Sequence, residues 1–189
     1  MRRRLSFSIL LGLGAVTCAV LAAQAVAGTA PVTANVLAGT LSLSSSASPS
    51  ISVTLDGTDQ NADYALPFSV IDATGSGAGW NLTVTSTQFS TGGASPKTLS
   101  TDASKMRNRS AVCATGTCTN PTNSINFPPP TTIPAGAAPP TAVKFFTSAA
   151  NTGMGSFTVT VDPVRVTVPA NAYTGVYTST LTIAVVTGP

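Results

Sequence analysis

Hydrophobic and polar residues alternate along most of the chain beyond residue 40, and this two-residue period predicts β-strands that each bury one face. In the first half, the alternating runs are Leu41 and Leu43, then Ile51, Val53 and Leu55, then Leu66, Phe68 and Val70, then Trp80, Leu82 and Val84. Towards the C-terminus they are Val143 with Phe145 and Phe146, then Phe157, Val159 and Val161, then Val164, Val166 and Val168, and finally Tyr177, Leu181, Ile183 and Val185. These runs amount to roughly seven to nine short strands, a number typical of a sandwich. The sequence therefore predicts an all-β fold, a single β-sandwich of the Ig-like or Greek-key type.

Residues of about 90–142 interrupt this alternation and predict a long irregular, proline-rich insertion. Six prolines lie between residues 128 and 140, among Ala, Thr and Gly. This composition is typical of an extended, polyproline-like surface crossing. A ligand for a proline-recognition domain is the alternative interpretation.

The first 27 residues have the composition of a secretory signal peptide. Three arginines at positions 2–4 precede an uncharged apolar run over 5–21, and two overlapping Ala-x-Ala sites follow. We expect cleavage after Ala27, which leaves one mature domain of residues 28–189. An uncleaved anchor helix is the alternative, but a membrane span needs about 20 apolar residues and this run ends sooner. The mature chain is therefore predicted to be exported, without stable membrane insertion.

Removal of the signal peptide also changes the charge of the protein. Three of the nine Lys and Arg residues leave with it, so six cations remain against six Asp. A neutral domain does not attract nucleic acid, and nucleic-acid binding is not expected. Neither His nor Glu occurs in the chain, which removes the commonest general bases and several metal ligands. We therefore expect no enzymatic activity, no cofactor and no metal site.

Cys113 and Cys118 are the cysteines that remain after removal of the signal peptide, and a glycine lies between them. In an oxidising compartment such a local pair most simply forms a disulfide, with free thiols as the alternative. Three carboxylates at Asp56, Asp59 and Asp63 could bind calcium. Their spacing does not match an EF-hand loop, however, and favours an ordinary turn.

Two further groups of residues suggest binding. Lys105, Arg107 and Arg109 place three cations within five residues, and they are candidate contacts for an anionic polymer, with a solvated loop as the alternative. Trp80 directly follows a glycine-rich segment, residues 75–79. An exposed tryptophan beside such a loop suits stacking on a sugar ring. A lone tryptophan in an alternating strand is more often part of the core, so both roles stay open.

The segment from Asp56 to Phe89 resembles the WxL domain of Gram-positive-type surface proteins. The matching elements are the strand at 68–72, the glycine-rich loop at 75–79, and Trp80-Asn81-Leu82, which is itself W-x-L. The C-terminal segment from residue 168 is similar to the closing strand of that family. Ile183-Ala184-Val185 stands where the family has a second W-x-L motif.

The resemblance implies a secreted protein at a bacterial cell surface or cell wall, bound non-covalently to peptidoglycan or another wall glycan. It also implies that other surface proteins are potential partners. The wall-binding candidates are Gly77, Gly79, Trp80, Leu82 and Ile183. Two alternatives remain open: a structural subunit of a surface polymer, pilin-like or spore-coat-like, because strands rich in Ser and Thr also suit donor-strand assembly, and a glycan-binding adhesin.

Overall fold

The computed structural model of the protein describes residues 31–45, 47–125 and 130–189. The predicted signal peptide, residues 1–27, lies outside the described residues. Within the described part of the chain there are ten strands and no helix, and hence no helix able to cross a membrane. The strands are β1 (Leu41–Ser44), β2 (Gln60–Asp72), β3 (Trp80–Thr87), β4 (Ser104–Met106), β5 (Arg109–Thr115), β6 (Thr131–Thr132), β7 (Ala135–Gly136), β8 (Val143–Ser148), β9 (Gly155–Val168) and β10 (Leu181–Thr187).

The strands form two sheets, and all of them belong to the compact unit of residues 36–189. The larger sheet has the order β1-β2-β9-β4-β6, and β5 also pairs with β9. The smaller sheet has the order β10-β3-β7, and β8 also pairs with β3. The all-β sandwich predicted from the alternation of hydrophobic residues is confirmed.

The hydrophobic core contains the inward side chains of the long central strands of the two sheets. Its largest fully buried members are Trp80, Leu82, Met106, Ile133, Phe145 and Phe157. Burial of one Val, Leu, Ile, Phe or Met side chain stabilises a fold by about 1.5–3 kcal/mol. Burial of these side chains between the two sheets therefore stabilises the sandwich.

Strand β9 is one continuous strand, although the sequence predicts two separate runs at 157–161 and 164–168. The inward parity changes between Val161 and Val164, and a cis peptide bond joins Asp162 to Pro163. On β2, Leu66 pairs with Val161 and Tyr64 pairs with Val164. Two residues of β9 therefore oppose one residue of β2, which is the arrangement of a β-bulge. The bulge keeps hydrophobic side chains inward on both sides of the irregularity.

Two predicted features differ from the structure. The run at 51–55 is not a strand; Ile51 and Leu55 are half-buried against a second hydrophobic cluster around Leu99 and Val168. The alternation there reports side-chain burial without backbone pairing. The predicted irregular region of about 90–142 contains four short strands, β4 to β7. Their polar residues hide them from a search for hydrophobic periodicity.

The described part of the proline-rich crossing joins both sheets, because β6 belongs to the larger sheet and the residues after it hydrogen-bond to the smaller sheet. The carbonyl oxygen of Pro134 accepts a hydrogen bond from the Ser86 amide at 2.9 Å, and that of Pro140 accepts one from the Thr85 hydroxyl at 2.8 Å. Ile133 beside them is fully buried. From residue 130 onward the crossing is therefore an integral part of the fold.

Candidate functional site

The W-x-L tryptophan lies in the core, at the start of β3. Trp80 has no exposed surface, and its Nε1 donates a hydrogen bond to the carbonyl oxygen of Gly153 at 2.9 Å. Its ring stacks on Phe146 with a centroid separation of 5.7 Å and contacts Phe157 at 6.4 Å. Because the indole satisfies its polar atom and buries its faces internally, it offers no surface to a ligand.

The glycine-rich loop before Trp80 packs against the turn that follows β8. Gly79 has a φ of +72°, and a Cβ atom there would collide with the carbonyl oxygens of Ser148 and Ala149. Gly77 accepts a hydrogen bond from the Asn151 amide at 2.7 Å, and a Cβ on Gly77 would lie 2.9 Å from Asn151 Oδ1. Glycine at position 79 thus permits a backbone-to-backbone approach that no other residue allows.

The same turn supplies the hydrogen-bond acceptor for Trp80. Gly153 has a φ of +75°, and a Cβ there would lie 2.6 Å from the indole Nε1 and would also collide with the Ser148 hydroxyl. Thr152 Oγ1 donates to the Ala149 carbonyl oxygen at 2.7 Å, which fixes the turn. The sequence interpretation overlooked Gly153. The one available signal was a second pair of glycines, spaced like those that precede Trp80, before another long strand.

The disulfide lies at this end of the sandwich. Cys113 and Cys118 are bonded, as the sequence predicts. Beyond the disulfide the chain pairs with the Gly153 turn: the Gly153 amide donates to the Thr119 carbonyl oxygen at 2.7 Å, and the Thr119 amide donates to the Met154 carbonyl oxygen at 2.9 Å. The disulfide therefore positions the segment that holds the acceptor of the tryptophan hydrogen bond.

The other wall-binding candidates lie on β3 and on its neighbour β10. Leu82 is fully buried, whereas Ile183 is half-buried and pairs with Val84 across the ladder. The Asn81 side-chain amide donates to the carbonyl oxygen of Gly188 at 2.7 Å, which joins the W-x-L strand to the end of the closing strand. The structure thus pairs the two segments that resemble the WxL family. In this pairing, Trp80 lies opposite Thr187 and not opposite Ile183.

The basic residues form part of the larger sheet and its edge. Lys105 is on β4 and pairs in register with Arg165 on β9, which makes a bidentate ion pair with Asp63 at 2.7 Å. These hydrogen bonds lower the pKa of the Asp63 carboxyl, whereas burial lowers the pKa of Arg109. Arg107 is exposed between β4 and β5. Lys105 and Arg109 are thus in strands and not in a loop, and both are half-buried.

The structure does not bring this basic group to the tryptophan. Strand β9 begins at Gly155, which lies against Cys118 at the Trp80 end. Arg165 is ten residues further along the same strand, roughly 30 Å away at about 3.3 Å per residue. Trp80 and the basic group thus belong to separate parts of the domain.

The three carboxylates of the calcium alternative each have a different partner within the protein. Asp56 accepts a hydrogen bond from the Thr58 amide at 2.9 Å, and Asp59 accepts one from the Ala170 amide at 2.9 Å. Asp63 lies on β2 in its ion pair. Among the residues that the structure describes, no three His, Cys, Asp or Glu side chains are grouped to hold a metal ion.

An exposed aromatic residue, missed in the sequence interpretation, lies in the connection from β9 to β10. Tyr173 is 63% exposed, and the Lys97 ammonium is 4.3 Å from its ring centroid. The Tyr177 hydroxyl donates to the Tyr173 carbonyl oxygen at 2.9 Å, and Ser90 and Thr178 exchange two backbone hydrogen bonds. The tyrosine ring is thus displayed on an ordered loop. No periodicity marks such a position in a sequence.

The comparisons with known proteins agree with the resemblance noted in the sequence. A family model described as the WxL domain, surface cell wall-binding, matches residues 34–189. This match includes every strand of the sandwich and the glycine-rich loop. Neither the curated proteins nor the solved structures gave a significant match.

Proposed function

Because the chain belongs to the WxL family of surface cell wall-binding domains, we propose that it binds peptidoglycan or another wall glycan non-covalently and without chemical catalysis. The observation that carries this proposal is that the family match extends over the whole sandwich. The family places the domain at the cell surface.

We propose that the W-x-L candidates stabilise the folded domain and do not contact the wall polymer themselves. Trp80 and Leu82 are fully buried, and Gly77 and Gly79 serve the packing of the loop on the turn after β8. Ile183 fills a half-buried position in the neighbouring strand. Loss of any of these residues would therefore weaken wall binding through loss of folded protein.

For direct contact with the wall we propose the exposed Tyr173 and the neighbouring Lys97. An aromatic face packs on the C–H groups of a sugar ring, and an ammonium group pairs with the carboxylates of peptidoglycan stem peptides or with polymer phosphates. Both side chains lie on hydrogen-bonded loops at the end of the sandwich away from Trp80. Lys105, Arg107 and Arg109 are a second candidate contact for anionic polymers.

The test is co-sedimentation of the purified secreted protein with cell-wall sacculi, before and after chemical removal of their anionic polymers. We expect wild type to be retained on both, and Tyr173→Ala to be retained at least about tenfold less tightly, the effect of losing roughly 1.4 kcal/mol. Lys97→Gln should bind more weakly than wild type, whereas Lys144→Gln, which removes the same charge at an exposed position of β8, should bind as wild type.

Three results would change this conclusion. Failure of folded wild type to bind any sacculi would overturn wall binding. Retention that requires the anionic polymers would shift the ligand from glycan to those polymers. Competition by soluble free sugars, with no affinity for sacculi, would favour the adhesin alternative.

A further inference from the structure

Strand β10 is an edge strand whose outer side has no hydrogen-bonded neighbour among the described residues. It pairs with β3 over its full length, from Leu181 opposite Ser86 to Thr187 opposite Trp80, without a register shift. No backbone hydrogen bond from any other described segment reaches its outer side. The outer side of this regular seven-residue strand therefore has no backbone hydrogen-bond partner, although β1 of the larger sheet lies close to it.

The phase of the β3–β10 ladder shows which groups face the open edge. The Thr87 amide donates to the Thr180 carbonyl oxygen, and the Gly188 amide donates to the Gly79 carbonyl oxygen. Antiparallel ladders bond at every second residue, so the even-numbered residues of β10 face β3. The odd-numbered residues, which are Leu181, Ile183, Val185 and Thr187, direct their N–H and C=O groups outward.

This edge lacks the devices by which soluble sheets block further pairing, which are charged side chains, prolines and bulges. Strand β10 reads Leu-Thr-Ile-Ala-Val-Val-Thr and pairs regularly. The opposite edge of the same sheet differs, because the segment after the disulfide covers it: the Ala149 amide donates to the Thr122 carbonyl oxygen, and the Ser124 amide donates to the Thr147 hydroxyl. Val186, on the outer face of β10, is 49% exposed.

We propose that β10 of one copy pairs antiparallel with β10 of a second copy, so that the two four-stranded sheets become one continuous sheet across a two-fold axis. The register with the longest overlap pairs Leu181 with Thr187 of the second copy and Ile183 with Val185 of the second copy. It forms about eight backbone hydrogen bonds, all from groups that face the open edge. The two copies of Ala184 then face each other at the axis.

A second copy of the protein can pair with this edge, because β10 carries no group that would repel β10 of another copy. Strand β10 carries no charge, and the domain of residues 28–189 has equal numbers of cations and carboxylates. On the inner face Ile183 meets Val185 as a β-branched pair, and on the outer face Thr182 meets Val186, which are favourable cross-strand neighbours. A dimer would present two wall-binding surfaces and strengthen attachment through effective concentration. The pairing itself does not depend on which polymer is bound.

The experiment measures the mass of the secreted protein by light scattering and sedimentation over a dilution series. We expect a dimer for wild type. Ala184→Lys and Ala184→Asp should each be monomeric at concentrations where wild type is dimeric, because the two copies of residue 184 face each other at the axis with Cα atoms about 4.5 Å apart, and like charges directly opposite are destabilising. An equimolar mixture of the two variants should regain the dimer, since opposite charges then face each other.

Thr83→Lys is the matched control, because Thr83 lies on β3 beside Ala184 and one strand away from the edge. It should remain dimeric, and the fluorescence of buried Trp80 confirms folding of every variant. Wild type that stays monomeric throughout the series would overturn the proposal. A mixture of folded charge variants that stays monomeric, or a Thr83→Lys variant that dissociates equally, would also overturn it.

Discussion

Replacement of Trp80 by phenylalanine separates a core role of this tryptophan from a role in ligand contact. The variant retains an aromatic ring against Phe146 but removes the Nε1 donor, so the Gly153 carbonyl oxygen loses its 2.9 Å partner. A buried polar group left unpaired costs about 1–3 kcal/mol. The smaller ring adds a cavity cost, which lies below the 3–5 kcal/mol typical of truncation of a large aromatic residue to alanine.

We therefore expect Trp80→Phe to lower the free energy of unfolding by about 2–4 kcal/mol. Domains are commonly stable by about 5–15 kcal/mol, so the variant should still fold. The measurement is urea unfolding followed by circular dichroism, because the chain has a single tryptophan and the variant has none. Val112→Ala, at a side chain 62% exposed on β5, is the control and should change stability by less than about 0.5 kcal/mol.

Binding to sacculi completes this test. At a temperature where Trp80→Phe is fully folded, a core role predicts affinity within about twofold of wild type, less than 0.5 kcal/mol. Wild-type stability combined with a large loss of affinity would refute the structural reasoning. It would show instead that the indole contacts the wall polymer.

Three further predictions concern the same domain. In urea unfolding, Gly79→Ala should lower the free energy of unfolding by at least about 2 kcal/mol, because residue 79 has a positive φ and contacts backbone carbonyl groups. Gly57→Ala, at φ +89° but in open space, should lower it by about 1 kcal/mol, and equal losses would contradict the packing argument. Reduction of the disulfide, which closes a short loop with a sequence separation of 5, should lower stability by at most about 2 kcal/mol, and a complete loss of folding by circular dichroism would show a larger role. Hydrogen bonds from Arg165 hold the pKa of the Asp63 carboxyl below its ordinary value of 3.8. The ion pair therefore stabilises the fold above pH 3.8, and this stabilisation is lost as the pH falls through the folded-state pKa. Below about pH 4, a plot of the urea midpoint against pH should be flatter for Asp63→Asn than for wild type, and superimposable curves would contradict this prediction.

The sequence predicts those strands whose one buried face is hydrophobic, since alternation directly records burial. The run Leu66, Phe68 and Val70 is an example, and it lies within β2. The first residues of β2 are polar, and Asp63 there is held by an arginine a hundred residues away in the chain. Such a partner cannot be identified from local pattern, so the sequence favours a turn where the strand begins.

The role of Trp80 shows the same limit at the candidate site. Its position in an alternating strand is compatible with core and with surface. Trp80 is in the core because Gly153 accepts its hydrogen bond and Phe146 stacks on its ring, and both residues are more than sixty positions away in the chain. Tyr173 is hidden for a different reason, since an exposed loop residue leaves no periodic signal. The disulfide, by contrast, is local and follows from spacing alone.

The position of β3 in the chain has a consequence for the order of assembly. All its hydrogen-bonded neighbours, which are β7, β8 and β10, come later in the sequence, and the last of them ends at Thr187. In a chain that emerges N-terminus first, the W-x-L strand has no hydrogen-bonded partner until β7 and β8 have appeared, and its second side stays unpaired until β10 follows. The core neighbours of the Trp80 ring, Phe146 and Phe157, also come later in the chain, so the ring cannot be buried against them before they appear. The smaller sheet therefore forms only after residues far along the chain have been made, and removal of residues 180–189 would leave β3 without its neighbour β10.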